Sequence, residues 1–202
     1  MQASKEFTNR HLSEDEDNNL YFAYGSNLNK KDLKDWARIN NKDYPLKDKV
    51  SLAYLPDNRL IFNHYSTSRK GGALNIVESP EDKVHGVLFE VKGEEGWESL
   101  DKKEGHPYAY ERTKVKVFYG QGDKPVTAIT YVKKNKMDDL HGPKCSYIKV
   151  LLKGYKNHGL NVGPVKKAIK AIAEAKAKEQ KQKSRSKRAE AKEASEQLNI
   201  NI

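Results

Sequence analysis

The sequence is poor in cysteine and has no long apolar run. Cys145 is the single cysteine among 202 residues, so an intrachain disulfide is excluded. A protein without disulfides suits a reducing compartment, and we therefore expect a cytoplasmic location. No apolar stretch approaches the length needed to span a bilayer, and the polar segment 13–19 offers no signal-peptide core, so we predict no membrane association.

Patterns typical of metal and cofactor sites are also missing. The six histidines do not show the spacing of metal ligands, and the lone cysteine has no convincing catalytic partners. Neither a Walker-type phosphate loop nor a dinucleotide-binding fingerprint occurs. The sequence therefore predicts a function without metal or cofactor. Among the histidines, only His106 lies beside a segment that carries a candidate catalytic residue.

Positive charge is abundant but uneven. The net charge is +10, and residues 164–197 hold eleven Lys or Arg against five Glu, which gives this stretch +6. Gly163-Pro164 is a good helix entry, and Val165, Ile169 and Ile172 form an apolar stripe that ends before Ala177. We predict a flexible leader at 1–19, a folded domain at 20–162 and a basic helical tail at 163–202.

The central region alternates short apolar runs with turn residues and contains few helices. This pattern predicts an α+β fold with a mixed, curled sheet or small barrel of about seven strands, short flanking helices and a C-terminal Lys-rich helix. The predicted strands are 20–24, 50–54, 59–65, 71–77, 84–91, 110–119 and 126–132. The predicted helices before the tail are 30–38, 94–100 and 146–156.

The stretch from Leu20 to Leu28 joins a strand to a helix through Gly25-Ser26-Asn27. A glycine-containing turn of this kind presents backbone N–H groups that can hold a carboxylate or a phosphate. A lone glycine turn is a weak signal, however, and a tight turn without a ligand explains the same residues. Both interpretations remain open on this stretch alone.

Several motifs together resemble one known family. In chain order they are YFAYGSNL at 21–28, GGALNIV at 71–77, VHGVLFEV at 84–91, LDKKEG at 100–105, YAYERT at 108–113 and CSYIKVLLKG at 145–154. This set is similar to the γ-glutamylcyclotransferase family, and the YGSNL form resembles the branch that carries that name. The resemblance spans Leu20 to about Leu160.

The resemblance implies an enzyme that cyclises a γ-glutamyl amino acid or amine to 5-oxoproline. In such a reaction the substrate's α-amine attacks its own γ-carbonyl group, and no water attacks. One carboxylate with a raised pKa can move the protons. By the LDKKEG motif, Glu104 is the implied acid/base, and we interpret Asp101 as structural, as a local cap.

The resemblance also implies the groups that bind substrate. The turn amides from Tyr24 to Asn27 would hold the α-carboxylate, and Tyr147 matches a substrate-contacting tyrosine, although Cys145-Ser146 replaces the proline-rich approach usual in the family. Tyr131 could line the same pocket, whereas we assign Trp36 and Trp97 to packing. The predicted substrate-binding residues are Tyr21, Phe22, Ala23, Tyr24, Gly25, Ser26, Asn27, Tyr110 and Tyr147.

The competing interpretation is a binding module of the same fold. Its basic tail would contact nucleic acid or an acidic partner by electrostatic attraction, because the tail lacks aromatic residues that could stack on bases. Glu104 favours the enzyme, since a binding module would not need an acid/base. We predict a small-molecule γ-glutamyl substrate, nucleic-acid contact only through the tail, and a monomer or homodimer.

Overall fold

The computed structural model describes residues 19–120, 123–133 and 140–200. Nearly all of the predicted leader, residues 1–18, lies outside the described residues. The strands are β1 (Leu20–Ala23), β2 (Leu46–Ser66), β3 (Gly71–Val91), β4 (Glu111–Tyr119) and β5 (Lys124–Val132). The helices are α1 (Lys30–Ile39), α2 (Gly93–Glu104), α3 (Cys145–Asn157) and α4 (Gly163–Ile200), and a 3₁₀ turn covers Ser26–Leu28.

The strands form a closed barrel in the order β1-β3-β2-β4-β5. β1 closes it by pairing antiparallel with β3 and parallel with β5, where Tyr21 lies opposite Ile129. On the other side, β2 pairs with β4 at Ala53 and Tyr54. The predicted α+β barrel is confirmed.

The strand count differs from the prediction because two long strands replace four short ones. The predicted strands leave breaks at residues 55–58 and 78–83, yet β2 and β3 run through both positions. The two segments face each other in the β2–β3 pair, where Asp57 and Glu81 adopt φ of 52° and 68°. The Glu81 N–H donates to Asp57 Oδ1 at 3.1 Å, so the local irregularity joins the strands instead of ending them.

Helix α2 extends beyond its predicted end. We predicted that this helix ends at residue 100, but α2 continues to Glu104 and makes it the last helical residue. Gly105 then ends the helix in the left-handed conformation, with φ of 66°. The catalytic candidate therefore stands on the end of a regular helix, which fixes its backbone more firmly than a loop would.

Helix α4 has two parts with different surroundings. Its first turns bury Val165, Ala168 and Ile172 in the core, and the helix contacts β2. From Lys176 to Arg188 every side chain is exposed. The apolar stripe thus attaches the start of the helix to the barrel and leaves the following turns in water.

In the described part of the chain, no helix is both long enough and apolar enough to cross a membrane.

Candidate active site

A cavity of about 930 Å³ lies among the 3₁₀ turn, α1, the β2–β3 loop and the end of α2. Each of these elements contributes a wall. The 3₁₀ turn brings Gly25 to Asn27, the end of α2 brings Glu104, and the β2–β3 loop brings Arg69. Motifs separated widely in sequence therefore meet at one place.

The turn that follows β1 is held in position by α3. The Tyr155 hydroxyl donates to the Tyr24 carbonyl oxygen at 2.8 Å, and Asn29 Nδ2 donates to the Val150 carbonyl oxygen at 3.1 Å. Gly154 allows the close approach, because a Cβ there would stand 2.9 Å from the Cβ of Leu28. Three independent contacts therefore fix the backbone of the turn beside the cavity.

Glu104 is tied to this turn by a direct hydrogen bond. Asn27 Nδ2 donates to Glu104 Oε1 at 2.8 Å and also to the Tyr21 hydroxyl oxygen at 2.9 Å. Asn27 and Tyr21 are buried, with 3% and 4% of their surface exposed. The carboxylate predicted from LDKKEG and the asparagine predicted from YGSNL are therefore direct partners.

Burial raises the pKa of Glu104 above its usual value. The Lys103 ammonium, the hydrogen bond from Asn27 and the Arg69 guanidinium act in the opposite direction and limit the rise. A carboxyl group whose pKa is raised by burial and held back by nearby cations suits proton transfer. It accepts a proton more readily than a solvated carboxylate and can still release it.

The side-chain oxygen of Asn27 is a second polar feature of this corner. Asn27 Oδ1 is buried and has no hydrogen-bond donor among the described residues. Leaving a buried acceptor unpaired costs about 1–3 kcal/mol, so such atoms commonly mark the place of a ligand or water. An N–H donor in the cavity would satisfy this oxygen.

Tyrosines form much of the cavity wall, and their hydroxyl groups are engaged. Tyr24 donates to the Tyr131 carbonyl oxygen at 2.7 Å, and Tyr110 donates to the Leu74 carbonyl oxygen at 3.0 Å. The Tyr147 hydroxyl accepts from the Leu74 N–H at 3.3 Å, and burial raises the pKa of Tyr147 to about 12. These phenols therefore remain neutral and serve as a fixed polar frame.

The structure brings most of the predicted site residues to the cavity. Phe22 and Ala23 are the exceptions: their side chains are fully buried in β1 and do not line it. Of the predicted substrate-binding stretch 21–27, only the two tyrosines and the turn residues therefore line the cavity. The predicted residues that line the cavity are Tyr21, Tyr24, Gly25, Ser26, Asn27, Glu104, Tyr110 and Tyr147.

Asp101 is part of a side-chain network behind the cavity wall. Its two carboxylate oxygens accept from Arg112 Nε and Nη2, both at 2.7 Å. The Tyr131 hydroxyl also donates to Asp101 Oδ1 at 2.7 Å. The side chain joins α2 to β4 and β5, so its contacts are structural, but they are not those of the local cap that we expected.

Several cavity residues were missed by the sequence analysis. Trp36, assigned to packing, lines the cavity, whereas Trp97 is a buried packing residue as expected. His64 lines the cavity as well, and His106, the histidine singled out from sequence, does not. In the sequence, only the weak signal of a positive charge just before Gly71-Gly72 could have pointed to Arg69.

Within the described ranges, no three His, Cys, Asp or Glu side chains come close enough together to hold a metal ion.

Comparison with known proteins adds an independent observation. The profile of the family described as "Gamma-glutamyl cyclotransferase, AIG2-like" matches residues 21–149. The chain belongs to this family. The family predicted from the motifs is therefore confirmed, and with it an enzyme of the cyclotransferase type.

Individual relatives agree with this family. The chain is 34% identical to a gamma-glutamylcyclotransferase of Bos taurus over 77% of this chain and 79% of that protein. It is 33% identical to the Homo sapiens gamma-glutamylcyclotransferase over 78% and 80% of the two chains. A solved structure of a gamma-glutamyl cyclotransferase superposes with a TM-score of 0.61 at 30% identity, covering 74% of this chain and 85% of that one.

Proposed function

We propose that this protein converts a γ-glutamyl amino acid or amine to 5-oxoproline and releases the amino acid or amine. The observation that carries the proposal is the pair of Glu104 and Asn27. It joins a carboxyl group of raised pKa, held at 2.8 Å by an amide, to a buried amide oxygen that lacks a donor among the described residues. The names of the relatives support the same reaction.

Cyclisation needs the substrate to fold back on itself. We propose that the turn amides of Gly25 to Asn27 hold the α-carboxylate, with the α-ammonium directed toward Asn27 Oδ1 and Glu104. Gly25 supports this placement, since a Cβ built there would meet nothing within 4 Å and the space beside it is open. When the α-carboxylate and the α-ammonium are both held, the substrate is bound in the folded conformer that the reaction needs and that is rare in solution.

Glu104 is the proposed proton carrier. The α-nitrogen forms a bond to the γ-carbonyl carbon, and the bond from that carbon to the leaving nitrogen breaks. Starting from an α-ammonium, the attacking nitrogen loses two protons, and the leaving nitrogen gains two to depart as an ammonium. One carboxylate can carry these protons in turn, and no water enters the products. The turn amides are also the nearest donors for the negative charge that develops on the carbonyl oxygen.

The test is to incubate the protein with a panel of γ-glutamyl dipeptides and γ-glutamyl amines in H₂¹⁸O. The expected products are 5-oxoproline without ¹⁸O and an equimolar amount of free amino acid or amine. A hydrolase would instead form glutamate that carries ¹⁸O in its side-chain carboxyl group. Glutamate as the sole product, or no product from any compound, would overturn the proposal.

Cytoplasmic location, the monomeric or homodimeric state and contact of the 163–202 tail with nucleic acid stay predictions. A non-catalytic binding module gains no support from the comparisons, whose curated relatives carry the name of an enzyme.

A further inference from the structure

Three charged side chains from separate elements meet on one wall of the cavity. Arg69 comes from the β2–β3 loop, Asp32 from α1 and Lys103 from α2. Arg69 Nη1 and Nη2 donate to Asp32 Oδ1 and Oδ2 at 3.0 and 2.6 Å. Lys103 Nζ lies 3.6 Å from Asp32 Oδ2. Two cations therefore share one carboxylate.

Burial makes this surplus of positive charge significant. Only 6% of the Lys103 side chain is exposed, and 28% of the Arg69 side chain. A buried ammonium is costly unless an anion pairs with it, and a separation of 3.6 Å from an already engaged Asp32 is a weak pairing. Asp32 alone thus leaves this wall with one unbalanced positive charge.

The guanidinium of Arg69 can accept a further anion. Asp32 engages two of its five N–H groups. Its carbon lies 5.1 Å from the ring centre of Tyr147, whose hydroxyl is fixed by the Leu74 N–H. The loop backbone is also held, because the Arg69 N–H donates to Ser66 Oγ at 3.2 Å. Arg69 is thus a rigid fork that faces the cavity.

Glu104 is a second carboxylate near this wall, and the bound substrate changes its role. Asp35 also lines the cavity, but its side chain is 43% exposed and pairs with Lys31. Arg69 and Glu104 are close enough for the guanidinium to lower the pKa of Glu104. In the proposed reaction, however, Glu104 faces the substrate's ammonium group. Once the ammonium is bound, three cations face the two carboxylates of Asp32 and Glu104, and the surplus positive charge favours an anion from the substrate. Because the turn amides hold the α-carboxylate in the proposed reaction, the carboxylate of a leaving amino acid is the anion left for this wall.

We propose that Arg69, supported by Lys103, binds the carboxylate of the leaving amino acid and so selects γ-glutamyl amino acids over γ-glutamyl amines. This inference rests on the proposed function and names its substrate class. The leaving carboxylate is one carbon from the nitrogen that Glu104 must protonate, so it has to bind close to Glu104. Arg69 meets that requirement and offers the planar, two-pronged geometry that suits a carboxylate.

The matched substrates are γ-glutamylalanine and γ-glutamylethylamine, which differ only in the leaving-group carboxylate. For Arg69→Gln, kcat/KM on γ-glutamylalanine should fall by about 10- to 100-fold, the factor of a lost charge-assisted hydrogen bond. The loss on γ-glutamylethylamine, which reports only the effect of Arg69 on Glu104, should be smaller, so the ratio of the two kcat/KM values should fall by about 10-fold or more. Lys103→Met should shift the preference in the same direction. Arg59→Gln is the control, because Arg59 is an exposed β2 residue outside the cavity lining.

The wild-type protein gives a test that does not depend on a variant's folding. Alanine should inhibit turnover at lower concentration than ethylamine, since alanine carries the carboxylate. Equal inhibition by both, equal wild-type kcat/KM for both substrates, or an equal loss on both in Arg69→Gln would overturn the inference while 5-oxoproline formation stands.

Failure of the proposed function would look different, because neither substrate would give 5-oxoproline. Calorimetric binding of the two compounds to wild type and to Arg69→Gln would then test whether Arg69 binds the leaving-group carboxylate. Tighter binding of γ-glutamylalanine that disappears in the variant would support it, and equal binding of both compounds to wild type would overturn it.

Discussion

The few cations of the cavity and the many cations of helix α4 lie in different surroundings. Lys103 is almost fully buried and shares Asp32 with Arg69, whereas the basic side chains between Lys176 and Arg188 are all exposed. Net charge draws attention to the helix, because much of the +10 lies there. Burial points to the cavity instead, since a charge acts strongly only where water does not screen it. We therefore expect changes in the cavity to be costly and changes in α4 to be mild.

The largest effect is expected for the carboxylate on which the cavity cations act. Glu104→Gln keeps the shape and a hydrogen-bonding side chain but removes the basic oxygen. Turnover should fall by roughly 100- to 10,000-fold, as for loss of a general acid/base, and substrate binding, which loses the pair between Glu104 and the α-ammonium, should weaken far less. Steady-state assays of 5-oxoproline, with calorimetry for binding, measure both. Near wild-type turnover would show that another group carries the proton.

Asp101 tests whether the network behind the cavity is structural. Asp101→Asn weakens the contacts with Arg112 and Tyr131, so the free energy of unfolding should fall by about 1–2 kcal/mol. Turnover should change far less than in Glu104→Gln. The control is Glu98→Gln on the same helix, whose exposed carboxylate lies 3.4 Å from Lys42 and should contribute less than about 0.5 kcal/mol. Chemical denaturation measures both, and a collapse of turnover in folded Asp101→Asn would contradict a structural role.

The pH dependence of turnover tests the balance of charges around Glu104. In the proposed reaction the ionised form of Glu104 accepts the proton, so kcat/KM should rise with pH as the group loses its proton. Burial raises this pKa, which places the rise at higher pH than for an ordinary glutamate. Lys103 lowers the same pKa, so Lys103→Met should move the rise to still higher pH. The pH profiles of both proteins on one substrate provide the measurement. An unchanged profile would assign the titration to the substrate or to another group.

The sequence predicts the barrel and the family better than it predicts the charged wall. Motifs around Gly25 and Glu104 are local strings, so they can be recognised without knowing the fold. The contact of Arg69 with Asp32 joins residues 37 positions apart, and neither residue stands in a distinctive motif. The same limit explains the strand count, since the segments at Asp57 and Glu81 become one continuous pair only when they meet across the β2–β3 hairpin.

The smallest effect is expected for truncation after Ala177. Up to Arg188, Ile172 is the last buried large side chain of α4, and every side chain from Lys176 to Arg188 is exposed. Removing the residues beyond Ala177 should therefore change the free energy of unfolding by less than about 1 kcal/mol, as is usual for exposed positions. Thermal and chemical denaturation of the full-length and truncated proteins measure this.

Val165→Ala is the matched change at the buried start of the helix. It should lower the free energy of unfolding by more than the truncation does, because it removes apolar contacts inside the core. If truncation proved the more damaging of the two, the outer turns of α4 would have to stabilise the barrel, and their charges could no longer be treated as solvated.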